Sequence, residues 1–257
     1  MNQMELDEVT ISRAILKTQM ETMVEYLDLD VAVIGGGPSG ITCAALLAEK
    51  GLKVGLIEKK LSIGGGMWGG GMMFPRIVVQ AAAKRLLDRF GIASTEAEPG
   101  YYVAKSVESV SKLTAAACTA GAEFFNLIAV EDVVVKADGR VSGLVINWSP
   151  VEMAGLHVDP LTIRCRAVVD ATGHDATICH MVAKKGGDLP IRGEGYMWAD
   201  RAEGNILDHT KEVFPGLFVC GMAANAVGGE CRMGPIFGGM LLSGERAAAL
   251  VAAALRT

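Results

Sequence analysis

The stretch that decides the fold runs from residue 30 to residue 60 and reads DVAVIGGGPSGITCAALLAEKGLKVGLIEKK. An apolar run leads into a cluster of glycines, and a mostly apolar segment of helical composition then ends at Gly51. A second short apolar run closes on Glu58. A strand, a glycine turn, a helix stopped by glycine and a second strand make up a βαβ unit. The stretch therefore predicts an α/β fold.

The spacing of the glycines predicts what this unit binds. Gly35, Gly37 and Gly40 form the pattern GxGxxG between the strand and the helix, and Glu58 ends the second strand. Such glycines allow a pyrophosphate to approach the backbone at the helix N-terminus, and an acid at that distance suits ribose hydroxyls. We predict a bound adenine dinucleotide; the alternative is a purely structural turn.

Two later stretches complete the predicted fold. ATG at 171–173 and PGLFVCGM at 215–222 recur with the glycine turn in two-segment dinucleotide-binding flavoproteins. Those flavoproteins carry an acid after the last strand, where this chain has Gly221 and Met222, which favours NAD over FAD. We predict a single domain, a three-layer flavoprotein-like Rossmann fold with an inserted β-meander, whose NAD-binding core is residues 28–60 completed by 166–175 and 215–257.

The remaining segments are assigned by periodicity and composition. The meander is expected within residues 122–148, with a hairpin turn at Asp138-Gly139. Helices are predicted over 3–27, 78–90 and 105–120, and irregular chain over 149–164 and 185–212.

Composition narrows the function classes. Hydrophobic residues make up 51% of the 257 residues, and the net charge of −5 argues against a nucleic-acid-binding surface. The uncharged run Val31–Ala48 is interrupted by glycines, so we expect no membrane span. The acidic N-terminus lacks a signal peptide pattern, and the six cysteines show no CxxC spacing. We therefore expect a cytoplasmic protein with reduced thiols.

Three residues are candidate metal ligands. His157 and Asp159 lie two apart before a predicted strand, and His174 follows that strand in DATGHDAT. Alternation places 157 and 159 on the same side of an extended segment, and two imidazoles with one carboxylate suit Fe(II). The alternative is that all three are loop residues satisfied by hydrogen bonds.

Two glycine-rich stretches are candidate ligand loops. GGGMWGGG at 64–71 predicts backbone that wraps a ligand, or else a flexible loop. GGECRMGPIFGG at 228–239 holds Arg232, whose guanidinium can bind a small carboxylate in a bidentate manner. The alternative is a surface arginine paired with Glu230 or Glu245.

Taken together these stretches resemble the thiamine thiazole synthase family, of the archaeal and bacterial kind. The resemblance runs nearly end to end and rests on GGGPSG, EKKLSIGGGMWGGG, NWSPV, HVDP, ATGHDA and RMGPIFGGMLLSGERAA. It implies an enzyme that consumes NAD as a substrate with glycine and sulfide and forms an ADP-linked thiazole carboxylate. It also implies Fe(II) and a homo-octamer with sites shared between neighbouring subunits.

By the same resemblance, Asp159 and His174 would ligate Fe(II), and Arg232 would bind the glycine carboxylate. The residues that would contact the NAD-derived nucleotide are Ser39, Glu58, Lys59, Gly66, Val130 and Met222.

His157 stands where fungal and plant relatives have a cysteine that surrenders its sulfur. An imidazole has no sulfur to give, so the resemblance implies an external sulfide donor and repeated turnover. Whether His157 also ligates the metal stays open; we favour its lining the site.

Three other functions remain as alternatives at this point. They are an FAD-dependent glycine or amine oxidase, a ribose-1,5-bisphosphate isomerase, and a nucleotide-binding module without catalysis.

Overall fold

The computed structural model describes residues 6–256 as helices surrounding a mixed sheet, with a small second sheet beside it. Predictions that involve residues 1–5 and 257 lie outside the described residues. The helices are α1 (Glu8–Glu25), α2 (Pro38–Ala48), α3 (Ala81–Arg89), α4 (Ser106–Ala120), α5 (Ser149–Met153), α6 (Thr177–Lys184), α7 (Ala199–His209), α8 (Met222–Gly228) and α9 (Gly238–Ala254). The main-sheet strands are β1 (Asp28–Ile34), β2 (Val54–Glu58), β6 (Glu123–Asn126), β7 (Ile128–Val135), β8 (Val141–Trp148), β9 (Leu161–Asp170), β10 (Glu212–Phe214) and β11 (Leu217–Val219). The second sheet holds β3 (Arg76–Gln80), β4 (Ser94–Glu98) and β5 (Tyr101–Lys105).

The centre of the main sheet is parallel. β1 lies between β2 and β9, with β6 beside β2 and β11 beside β9. Val31 and Val33 of β1 pack on one face of the sheet and Ala32 and Ile34 on the other, as alternation requires. β2 pairs with β1 on one side and β9 pairs with it on the other, so the strand order changes direction at β1. A crevice opens at the carboxyl ends of the strands at such a point.

Glycine is required at two points of the turn between β1 and α2. Gly35 has φ +105°, and a Cβ there would lie 2.4 Å from the Ala171 carbonyl oxygen. A Cβ on Gly40 would lie 2.0 Å from the Gly35 carbonyl oxygen. The predicted glycine turn is therefore present, and it packs directly against the end of β9.

The inserted meander is confirmed as an antiparallel ladder. β8 pairs with β7 and with the first half of β9, whose second half pairs with β11. The hairpin turn falls at Asp138-Gly139, where Gly139 has φ +70°. The meander packs with α6 and α8 on one face of the sheet, and α2, α4 and α9 cover the other.

Three predicted segments are corrected. The helix expected over 78–90 begins only at Ala81, because residues 76–80 alternate and bury Ile77 and Val79 as β3. The segment 185–212, predicted as irregular, contains α7, and the short α5 interrupts 149–164. The α1 and α4 segments are helical as expected.

Among the helices of residues 6–256, none combines the length and the apolar composition that a membrane span requires.

Candidate functional site

One large cavity opens at the carboxyl ends of β1, β2 and β9. Its volume is about 780 Å³, within the range of small-molecule and cofactor sites. The predicted site residues that line it are Gly35, Gly37, Ser39, Glu58, Lys59, Gly66, Val130, His174, Met222 and Arg232. Residues from every segment of the predicted binding core therefore meet at one place.

Glu58 is fixed at the floor of the cavity by two backbone amides. The Gly36 N–H donates to Oε2 at 2.8 Å, and the Lys60 N–H donates to Oε1 at 2.8 Å. The side chain is buried, at 8% exposure. Since each carboxylate oxygen can accept a second hydrogen bond, Glu58 keeps acceptor capacity toward the cavity. Its position suits the predicted contact with ribose hydroxyls.

Gly40 was also predicted to contact the nucleotide, but it does not line the cavity. Its hydrogen faces the Gly35 carbonyl oxygen, so its place in the GxGxxG pattern is close packing of helix on turn. Gly35 and Gly37 are the glycines of the pattern that line the cavity.

At another part of the cavity wall, His174 and Arg232 share one carboxylate that sequence reasoning missed. Glu194 Oε1 lies 2.5 Å from His174 Nδ1, and Glu194 Oε2 lies 3.7 Å from Arg232 Nε. His174 sits on a short 3₁₀ turn, Gly173–Asp175, directly after β9. The cluster combines an imidazole, a carboxylate and a guanidinium at the cavity that Gly35, Gly37 and Glu58 also line.

Arg232 pairs with neither Glu230 nor Glu245, the two partners that a surface arginine was expected to have. Glu230 accepts from Arg201 Nε at 2.8 Å and from Asn205 Nδ2 at 2.8 Å. Glu245 pairs with Arg85 on the surface. Arg232 therefore remains directed to the cavity, with Glu194 as its ion-pair partner.

The turn that carries His174 is held by Asp170, which the sequence reasoning also missed. This fully buried carboxylate ends β9. It accepts from the amide and hydroxyl of Thr172 and from the amides of Ile178 and Cys179, at 2.7–3.0 Å. Two of these amides belong to the first turn of α6, where a carboxylate is favoured. Asp170 thus sets the exit path of the chain toward His174.

His157 and Asp159 lie elsewhere, on the exposed segment 154–160, and do not line the cavity. They precede β9, and His174 follows it. Residues 6–256 of one chain contain no cluster of three or more His, Cys, Asp or Glu side chains that could hold a metal ion.

The thiols are poorly placed for chemistry in this cavity. None of the residues that line it is a cysteine. Burial raises the pKa of Cys165 and of Cys220 to about 12. Burial, followed by a hydrogen bond to Glu230, also raises the pKa of Cys231. Thiolate, the reactive form, is therefore disfavoured at all three.

Comparison with known proteins places the chain in a family. The model of the Thi4 family matches residues 12–237. A thiamine thiazole synthase of Methanoculleus marisnigri is 74% identical over 249 residues, covering 97% of this chain and 98% of that protein. The thiamine thiazole synthase of Methanococcoides burtonii is 57% identical, covering 96% and 98%.

Solved structures agree with the fold. The crystal structure of Thermovibrio ammonificans THI4 superposes with a TM-score of 0.97 at 49% identity, covering 99% of this chain and all of that one. A geranylgeranyl bacteriochlorophyll reductase-like protein of Thermoplasma acidophilum, at 17% identity and a TM-score of 0.59, shares the fold alone. The predicted flavoprotein-like architecture is confirmed, and the chain belongs to the Thi4 family.

Proposed function

We propose that this member of the Thi4 family, an enzyme of thiamine thiazole synthesis, consumes NAD, glycine and sulfide in an Fe(II)-dependent reaction that yields an ADP-linked thiazole carboxylate. One observation carries the proposal: the nucleotide cradle, formed by Gly35, Gly37 and Glu58, lines the same cavity as His174 and Arg232, which share the carboxylate of Glu194. A reaction that joins a nucleotide to an amino acid needs binding groups for both substrates in the same cavity.

The nucleotide end is the part formed by the glycine turn and β2. Gly35 and Gly37 leave backbone open at the start of α2, and the N-terminus of that helix favours a pyrophosphate. Glu58 is held by two amides and accepts from ribose hydroxyls. Val130 and Met222 line the same space and supply apolar contact with the rest of the nucleotide.

The amino-acid end is Arg232. Glu194 lies on the Nε side of the guanidinium, so the edge formed by the two terminal nitrogens is available to a substrate carboxylate. Glycine is the smallest amino acid with such a carboxylate. Bound there, its amine would lie in the cavity that receives the nucleotide-derived ketone.

The residues present fit Fe(II) if two copies of the chain cooperate. His174 lines the cavity and its ring is oriented by a carboxylate, as metal-bound histidines usually are. Asp159 precedes β9 and does not line the cavity of its own chain, so we assign it to the site of a neighbouring copy. When bound, Fe(II) supplies a Lewis-acidic centre with affinity for sulfur.

A second copy is also favoured by the surface around the cavity. Met72 and Met197 line its mouth and are 77% and 64% exposed. Phe74, Tyr196 and Trp198 stand beside them, also exposed. An apolar surface of this kind marks a protein contact. A closed homo-oligomer, for which we propose the octamer, would cover it and bring Asp159 to a neighbour's cavity.

The sulfur donor is external in this proposal. His157 carries no sulfur, and no residue lining the cavity is a cysteine. The protein therefore survives each turnover unchanged.

The decisive experiment is anaerobic turnover with Fe(II), NAD, glycine and sulfide, with the adenylated thiazole followed by mass spectrometry. We expect many equivalents of product per chain, and none from Asp159→Ala or His174→Ala. Glu245→Gln, which breaks an ion pair between two residues that do not line the cavity, is the matched control and should retain activity.

Co-expression of the two inactive variants tests the sharing of the site. If each site combines His174 of one chain with Asp159 of another, random assembly restores about a quarter of the activity. No restoration would contradict the shared site. Product limited to one equivalent, with the protein one sulfur lighter, would contradict external sulfide. A flavin spectrum in the purified protein would favour the oxidase alternative.

A further inference from the structure

We propose that Glu194 is a positioning residue that holds His174 and Arg232 in a fixed relation, so that the metal ligand and the amino-acid ligand act as one unit. The inference rests on the proposed function, since it takes His174 as a metal ligand and Arg232 as the carboxylate anchor. It assigns a role to a residue that no motif in the sequence singled out.

The contacts of Glu194 are divided between its two oxygens. Oε1 meets His174 Nδ1 at 2.5 Å, and Oε2 meets Arg232 Nε at 3.7 Å. The Glu194 side chain is 16% exposed, whereas those of His174 and Arg232 are about half exposed. Glu194, which lies between His174 and Arg232, is thus the most buried of the three side chains.

The backbone around Glu194 is fixed from both sides. The Gly193 N–H donates to the Ala226 carbonyl at 3.0 Å, and the Gly195 N–H donates to the Glu230 carbonyl at 2.9 Å. Farther along, the Arg232 N–H donates to the Tyr196 carbonyl at 3.1 Å. The segments 193–198 and 226–232 therefore run side by side, which places Glu194 and Arg232 on paired backbones.

The partner segment is anchored in turn by Glu230. This carboxylate is 3% exposed, and it binds the side chains of Arg201 and Asn205 in α7. Hydrogen bonds from the Cys231 amide, Asn205 and Arg201 hold the pKa of Glu230 at about 2 against the opposing effect of burial, so it stays ionised. A charged, buried anchor keeps the frame of Glu194 in place.

For His174, the contact selects one tautomer. A carboxylate can only accept, so the contact places a proton on Nδ1, and in the neutral ring the lone pair is then on Nε2. The half-exposed ring would otherwise sample several orientations on its short turn. Glu194 therefore presents Nε2 as the metal-binding nitrogen.

For Arg232, the contact occupies the Nε side and offsets its charge. Without Glu194, the positive charge of Arg232 would have no counter-charge beside the proposed Fe(II) site. The two positive charges would then repel each other. With Glu194 in place, the terminal nitrogens remain for the substrate carboxylate.

The experiment measures Co(II) binding to the full-length protein by visible absorption, alongside glycine KM in the turnover assay. Glu194→Ala should weaken Co(II) binding by about 10- to 100-fold, the usual cost of losing the carboxylate behind a metal-bound histidine. Glu194→Gln should retain most of the affinity, since its amide oxygen still accepts from Nδ1. It should nevertheless raise the glycine KM, because Arg232 loses its ionic partner.

The controls separate this inference from the proposed function. His174→Ala must abolish the Co(II) spectrum; if it binds like the wild type, the metal assignment itself is wrong. If His174→Ala fails to bind while Glu194→Ala binds with wild-type affinity, Glu194 has no positioning role. Equal losses in both Glu194 variants, accompanied by a lower Tm, would indicate a merely structural residue. Glu245→Gln is the matched charge-removal control.

Discussion

Replacing Glu203 with glutamine should remove a loss in the free energy of unfolding that grows as the pH rises. Glu203 lies in α7 beside the first residues of α9, where it accepts from Gln80 Nε2 at 2.6 Å. Its Oε1 is buried and has no hydrogen-bond partner within residues 6–256. Burial outweighs the hydrogen bonds from Gly239 and Gln80 and raises the pKa of Glu203 from 4.5 to about 7.

The sign and the size follow from linkage. Between pH 4.5 and pH 7 the unfolded chain has lost this proton and the folded chain keeps it. The free energy of unfolding therefore falls as the pH rises, by about 1.4 kcal/mol per pH unit from this group. Across the window the contribution amounts to about 3 kcal/mol. The stabilisation is complete below pH 4.5 and lost above pH 7.

Urea unfolding of the wild type and Glu203→Gln from pH 5 to pH 8 is the assay. The difference in free energy of unfolding between the two proteins should change by about 2–3 kcal/mol over that range, in favour of the variant at high pH. Glu245→Gln is the control: the hydrogen bond from Arg85 lowers the pKa of Glu245, so this carboxylate is ionised in both the folded and the unfolded chain above about pH 5. Its difference from the wild type should therefore stay nearly constant from pH 5 to pH 8. A Glu203→Gln profile parallel to that of the wild type would refute the reasoning.

Two further substitutions probe the glycine turn and the nucleotide cradle. Gly40→Ala should lower the free energy of unfolding by about 2–3 kcal/mol, since the new Cβ meets the Gly35 carbonyl at 2.0 Å. Gly37→Ala, with nothing within 4 Å of its Cβ, is the matched control; equal losses in chemical denaturation would contradict the packing argument. Glu58→Ala should weaken NAD binding by about 10- to 100-fold in equilibrium titration, from a lost charged hydrogen bond, and unchanged affinity would remove Glu58 from the ribose site.

The parts of the fold that follow local rules could be predicted from the sequence. The βαβ unit was predictable because its strand, glycine turn and helix are encoded within residues 30–60. The second sheet was not. β4 has the polar sequence STEAE and is mostly exposed, so its strand conformation depends on pairing with β5 rather than on an apolar pattern.

In the candidate site, too, the residues in local motifs could be predicted and those brought together by tertiary contacts could not. Residues of the glycine turn and Glu58 were predictable because spacing fixes them. Glu194 was not, because its contacts with His174 and Arg232 join residues far apart in sequence, through backbone pairing that has no local signal. Pairing of Arg232 with Glu230 or Glu245 could not be excluded from the sequence, because the contacts that occupy these two acids come from α7 and α3.

The length of β9 has a consequence for how such an enzyme behaves on dilution. With one proposed iron ligand before the strand and the other after it, an isolated chain would hold only half of the proposed coordination sphere. Metal loading and subunit association would then be thermodynamically linked, each tightening the other. Iron would leave as the assembly dissociates, and chelators would shift the population toward smaller species.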